Sequence, residues 1–497
     1  MNAIKNQTFL GHPKGLFVLF FSEMWERFCY YGMRGLLVLY ITKSLMEGDA
    51  KAFAIYGAFT GLVYMAPVLG GLIADKILGY KMAVVFGGVM MAIGEFMILG
   101  GDINWLYIGM ATIIVGNGYF KANISSIVGK LYDDQDVRKD SGFTIFYIGI
   151  NLGALLATLV AVWVGETYGF KYGFGLAGIG MLLGLVIFLG GKRWYEFAAM
   201  PPDRDDLHKK VFGPITKLQA TIILSILLIP FLYFIIQYND YVGYLLMIVA
   251  IYIIQKLLRA GIAGGKVLTH RMIIFIILAL LNIIFWSLFE QAGSSLTLFA
   301  DRNVDRNLLG LWDMTAGQTQ FFNPFFILTM GSLFSWLWIQ LDKRKINPNI
   351  PAKFGIGILL VGVGFYMTSL GKAASVDYMV PIWTLILLYF FHTVGELFLS
   401  PIGLSMVTKL APSNMTGTLM GAWFLSFAGA NYVAGSVLAP LTGTGGEGEG
   451  GTEVVLTAAE SLTKYVDIFT QFAWIGIISG LIILLFSPLL NKLMHGI

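Results

Sequence analysis

The chain has 497 residues, of which 57% are hydrophobic and only 12% charged, and its formal net charge is +4. A soluble domain carries about twice that share of charged residues, so a soluble fold is excluded, and no nucleic-acid partner is expected. The mean hydropathy of +0.75 comes from apolar blocks that exceed the roughly 20 residues needed to cross a bilayer. They lack the ten-residue alternation of a membrane barrel, so the expected fold is an all-α polytopic membrane protein.

The polar start, MNAIKNQTFLGHPKG, leads into an apolar stretch without the short core and cleavage site of a secretory peptide, and no cleavable signal is expected. Apolar stretches between charged or Gly/Pro-rich breaks then give about fourteen transmembrane helices. They fall near 14–42, 53–75, 82–100, 104–130, 140–165, 171–195, 215–237, 241–258, 271–300, 318–342, 353–372, 381–410, 414–440 and 465–492. Cys29 is the one cysteine, which excludes an internal disulfide framework and a Cys-based metal site.

Lysine and arginine fall on alternate loops: Lys76 and Lys81, Arg138 and Lys139, Lys192 to Lys210, Lys256 to Lys266, and Lys343 to Lys353. The intervening loops, ending with the glycine-rich LTGTGGEGEGGTEV, carry few. Positive charge marks the cytoplasmic side, so both termini are expected in the cytoplasm of a multi-pass protein of the cell (inner) membrane. Six helices precede the polar stretch Lys192–Lys217, two plain ones follow, and then six more. The expected division is an N-terminal six-helix bundle over 1–195, a cytoplasmic linker with two additional transmembrane helices over 196–265, and a C-terminal six-helix bundle over 266–497.

Ionisable groups at the bilayer centre cost about 2.5–3.5 kcal/mol even on permissive scales, so those inside spans are informative. In the first span, Glu23, Glu26, Arg27, Tyr30, Tyr31 and Arg34 share one helical face, about 16 Å long at 1.5 Å per residue. Such a face lines a water-filled cavity or meets opposite charge. By depth, Lys121 of the fourth span suits Glu23 or Glu26, and Glu290 of the ninth suits Arg34 across the two bundles. Glu396 falls near the middle of the twelfth span. Static pairing explains any one of these charges, but not the whole set spread over four helices. Glu95, His392 and Cys29 are read as structural. Among the aromatics, Tyr64, Trp286 and Trp423 share helices with these charges, and the amides Asn117, Asn151 and Asn323 each need a hydrogen-bond partner, with Asn323-Pro324 a candidate kink.

GGLIADKILGYK at 70–81, between the second and third helices, resembles the loop motif of the major facilitator superfamily through Gly71, Asp75, Lys76, Gly79 and Lys81. That superfamily has two six-helix bundles rocking about a midplane site. The run from Glu23 to Arg34, EMWERFCYYGMR, resembles the E-x-x-E-R-F-x-Y-Y-G-M-R signature of the proton-dependent oligopeptide transporter family. FYIGINLGALLA at 146–157 and GELFLSPIGLS at 395–405 resemble two further blocks of that family. The likeness covers essentially the whole chain, and the additional helix pair is a feature of bacterial members.

The resemblance implies a proton-coupled symporter of di- and tripeptides, with protons as the coupling ion, no cofactor or metal, and no enzymatic activity. Glu23, Glu26, Arg27 and Lys121 would form the proton-coupling cluster. Arg27, Arg34 and Lys121 would meet the peptide carboxylate, and Glu396 with Asn151 and Asn323 would hold its amino terminus. Tyr31, Tyr64, Trp286 and Trp423 would shape side-chain pockets, and Arg34 would pair with Glu290 in the outer gate. Animal members carry a histidine in the second helix where this chain has Gly57, so carboxylates must carry the coupling. Bottom-up chemistry agrees, because a short peptide is a zwitterion and cations suit one end, a lone carboxylate the other. Another solute on the same fold, nitrate or an organic anion, leaves Glu396 without a purpose. A sugar does not call for so many cations, an enzyme would need a catalytic constellation, and a channel does not need buried titratable pairs.

Overall fold

The computed structural model describes residues 7–133, 135–412, 415–443 and 456–496. Segment 444–455 of the glycine-rich loop lies outside the described residues. Fourteen long helices follow one another among them: α1 (Lys14–Lys43), α2 (Asp49–Leu78), α3 (Tyr80–Ile98), α4 (Ile103–Lys130), α5 (Lys139–Tyr168), α6 (Phe170–Gly190) and α7 (Lys217–Gln237). The second seven are α8 (Asp240–Ala263), α9 (Lys266–Asn303), α10 (Gly317–Lys343), α11 (Ile350–Ala373), α12 (Trp383–Leu410), α13 (Thr416–Thr442) and α14 (Ala458–Lys492). Twelve are long and apolar enough to cross a membrane by composition alone. The other two, α1 and α4, carry the charges of the first span and Lys121.

Every expected span is present, and the differences lie at the ends. The last helix begins at 458 rather than 465 because Thr457 caps it. The Thr457 hydroxyl accepts from the Glu460 N–H at 3.3 Å, and the Glu460 carboxylate accepts from the Thr457 N–H at 2.9 Å. A capping box of this kind lets a polar first turn remain helical. Helix α8 continues past Lys256 and Arg259 to Ala263, since long basic side chains extend from a helix end toward water. Pro324 lies where α10 passes from 3₁₀ to α-helix. It sits in the first turn after the 3₁₀ stretch Gly317–Phe321, where a missing N–H costs nothing.

The chain forms two compact units, Met1–Tyr40 with Leu62–Tyr238, and Ile41–Gly61 with Asn239–Ile497. In the first, α3 and α4 approach backbone to backbone: a methyl on Gly116 would lie 2.6 Å from the Gly87 carbonyl oxygen. In the second, α11 and α14 do the same through Gly362 and Gly476. Without a hydrophobic drive between helices in lipid, small residues permitting close approach are what hold such pairs. The loop motif at 70–81 is a structural joint of the first unit. Gly79 has φ +72°, and a Cβ there would lie 2.5 Å from the Pro201 backbone. Beside it Tyr80 donates to Asp75 at 2.6 Å, and Lys81 pairs with Glu196.

The two additional helices divide between the units. Helix α7 belongs to the first, where Ser225 meets the Tyr119 hydroxyl at 2.6 Å and Tyr233 donates to Asn104 at 2.8 Å, both on α4. Helix α8 belongs to the second and lies on α9 and α13. Both leave most of their apolar surface exposed, as lipid-facing helices do.

Candidate functional site

Helix α1 presents its charged face as the spacing requires. Glu23, Glu26, Arg27 and Arg34 are all 5% exposed or less. The Arg27 guanidinium is the hub. Its Nε faces Glu23 Oε1 at 3.2 Å and also donates to Glu26 Oε2, while Nη2 donates to Glu26 Oε1 at 2.6 Å. Asn117 of α4 adds a donor, Nδ2 to Glu26 Oε1 at 3.1 Å. Helix α5 closes on this point because it offers glycine: a methyl on Gly153 would lie 2.2 Å from the Met24 carbonyl oxygen and 2.8 Å from Arg27 Cβ.

The two carboxylates are therefore not equivalent. Both oxygens of Glu26 are bonded, with three donor contacts between them. Among the described residues Glu23 has one contact, and its Oε2 is buried without a partner. Lys121 is close enough to act on Glu23 electrostatically, and its ammonium lies 4.1 Å from the Tyr64 ring centroid. Cation–π contacts extend the face, with Arg27 over Tyr30 at 5.3 Å and Arg34 over Tyr31 at 5.7 Å. Asn151 of α5 turns its amide back on its own helix, Nδ2 to the Tyr147 carbonyl at 3.0 Å.

In the second unit Glu396 of α12 is buried and has no cation beside it in its described hydrogen bonds. Its Oε2 accepts from Asn323 Nδ2 of α10 at 2.9 Å. The same Nδ2 donates to Thr393 Oγ1 at 3.0 Å, one helical turn before Glu396. Trp286 rests against Phe289 and Phe427, with ring centroids at 5.0 and 5.2 Å. Trp423 is packed among Phe275, Phe354 and Phe427. Glu290, 3% exposed, stands in a 3₁₀ turn, Glu290–Gly293, that interrupts α9.

The structure thus joins Glu23, Glu26 and Arg27 in one cluster with Lys121 nearby, and Asn323 with Glu396 in another. Arg34 and Glu290 fall in different units, as do Asn151 and Glu396. The residues read as structural occupy packed positions. Cys29 Sγ lies 3.5 Å from Glu95 Oε1, and His392 Nε2 is 3.2 Å from the Val361 carbonyl oxygen. Sequence reasoning missed Thr393, and it gave Asn117 no partner. It also missed Asp49, which holds Arg302 through two contacts of 2.6 and 2.8 Å beside a Lys43–Asp301 pair, all in the second unit. Residues 49 and 302 are 253 positions apart, and no local pattern announces their meeting.

Fourteen helices, a superfamily loop motif and buried charge on α1 and α12 define the class: an α-helical membrane transporter of the major facilitator type, not an enzyme. The family description "PTR2: POT family" matches residues 81–447. The chain is 35% identical to "Uncharacterized transporter YclF" of Bacillus subtilis, over 100% of this chain and 98% of that one. It is 35% identical to "Dipeptide and tripeptide permease A" of Cronobacter turicensis, over 99% and 95%. A crystal structure of a mutant peptide transporter POT in complex with alafosfalin superposes with a TM-score of 0.84 at 34% identity, covering 100% of this chain and 98% of that one. The chain belongs to the POT family.

Proposed function

We propose that this protein is a proton-coupled symporter that imports di- and tripeptides by alternating access across the cell membrane, with both termini in the cytoplasm. Relatives named dipeptide and tripeptide permease support the substrate. So does the chemistry of the two units. The first carries Arg27, Arg34 and Lys121, cations for a peptide carboxylate. The second carries Glu396 with Asn323, acceptors for a peptide ammonium, and the aromatics Trp286 and Trp423 for side chains. Tyr31, Tyr64 and Asn151 line the first unit's part.

The observation that carries the coupling is the inequality of Glu23 and Glu26. Both oxygens of Glu26 are already held, by Arg27 and by Asn117. Glu23 depends on one contact with Arg27 and on Lys121 nearby. A peptide carboxylate competes for those two cations, and the orphaned Glu23 oxygen then takes a proton. Peptide and proton load together, and deprotonation of Glu23 on the cytoplasmic side re-forms its pair with Arg27 and expels the peptide.

Uptake of labelled dialanine into liposomes holding the purified protein, with an inward proton gradient imposed or collapsed, tests this reading. Accumulation should need the gradient and be competed by other di- and tripeptides but not by free alanine. Glu23→Gln should abolish accumulation while dialanine exchange across equal concentrations continues. A Glu23→Gln protein that still accumulates dialanine overturns the coupling scheme. Absence of any peptide uptake moves the reading to nitrate or an organic anion.

A further inference from the structure

Asn323 is held by a chain of hydrogen bonds whose direction is fixed at its far end. The Tyr389 carbonyl oxygen can only accept, and the Thr393 hydroxyl donates its single proton to it at 2.7 Å. Thr393 Oγ1 can then only accept from Asn323, at 3.0 Å. Glu396 Oε2 likewise accepts, at 2.9 Å from the same nitrogen, because the amide –NH₂ can only donate. Both protons of the amide –NH₂ are committed to two acceptors on one face of α12, three residues apart. The plane and the polarity of the amide are both set, and Asn323 Oδ1 has no donor among the described residues.

We infer that Thr393 is a positioning residue for the amine site: it holds the Asn323 amide so that Oδ1, with the Glu396 carboxylate, presents an acceptor to a primary ammonium. This rests on the proposed peptide-symport reading and adds a residue to it. Thr393 matters most at the moment of binding. Once Glu396 accepts an ammonium or a proton, its carboxylate no longer dictates which way the amide faces. The Tyr389–Thr393 pair still does, because its polarity depends only on a backbone carbonyl. With valine at 393 that acceptor is gone, and the amide is free to turn its –NH₂ toward the incoming ammonium.

The test is binding to the purified full-length protein of two probes: dialanine, and N-propionyl-alanine, which lacks the amine. Thr393→Val should weaken dialanine about five- to tenfold, the usual consequence of losing one positioning hydrogen bond. N-propionyl-alanine should bind as it does to the wild type. Thr393→Ser, which restores the hydroxyl, should recover dialanine affinity. Equal losses for both probes would make Thr393 a structural residue and overturn the inference, as would unchanged dialanine binding in Thr393→Val. A wild-type protein that does not distinguish the two probes defeats the amine-site reading itself, and the inference falls with it. Thermal unfolding of both variants, expected near the wild-type temperature, separates misfolding from altered binding.

Discussion

The charged face of α1 and the single carboxylate of α12 solve the same physical problem in opposite ways. Both bury ionisable groups in an apolar helix, where an uncompensated charge is expensive. On α1 the compensation is ionic: one guanidinium serves two carboxylates, with Asn117 completing Glu26. On α12 it is neutral, with Glu396 held by an amide that is itself fixed by a hydroxyl. An ionic cluster can trade one partner for a competing ion, which suits an exchange of partners. A neutral cradle leaves its carboxylate ready for a cation from outside, which suits recognition.

The largest test of this contrast removes the hub. Arg27→Met should leave two buried carboxylates without their cation, a change that costs about 3–5 kcal/mol for buried pairs. It should show as a clearly lowered unfolding temperature together with loss of uptake. Glu396→Gln, by contrast, should unfold near the wild-type temperature and lose only dialanine affinity, because glutamine keeps the shape and an acceptor. Equal destabilisation by the two would erase the distinction between ionic and neutral compensation. A smaller effect is expected for Asn117→Ala, which deletes one donor to Glu26 and should cost about 1 kcal/mol by the same unfolding measurement.

The smallest effect should come from an exposed pair in the loop before α5. The Arg138 guanidinium holds the Asp136 carboxyl down to about 2, from an ordinary 3.8. A depressed carboxylate contributes stability above its unfolded value and loses it as pH falls toward its folded value. Asp136 is therefore fully ionised from pH 5 to 8, and solvent screens the pair. Asp136→Asn should leave the unfolding temperature unchanged across that range, and a pH-dependent difference there would refute the assignment.

The number of helices and the face of α1 were legible because both depend on local spacing. Apolar blocks set the first, and three- and four-residue intervals set the second. The pairing of Asn323 with Glu396 was legible only through family resemblance, since 73 positions separate them. Thr393 lies one turn before Glu396, in plain sight of helical periodicity. A threonine inside a helix ordinarily bonds its own i−4 carbonyl, as Thr393 also does, so nothing marked its second contact. The inequality of Glu23 and Glu26 depends on Asn117 arriving from α4, and composition along α1 contains no trace of it. Helix ends were misjudged where a cap overrides polarity, as at Thr457.

The split allegiance of α7 and α8 supplies an experimental handle. Exposed Leu224 travels with one unit and exposed Ile251 with the other, and neither helix carries a candidate site residue. Spin labels at those two positions would read the separation of the units from outside the transport pathway, with the binding chemistry untouched. Distance distributions with and without dialanine, taken at two pH values, would then resolve which conformers the protein visits and which of them each ligand selects.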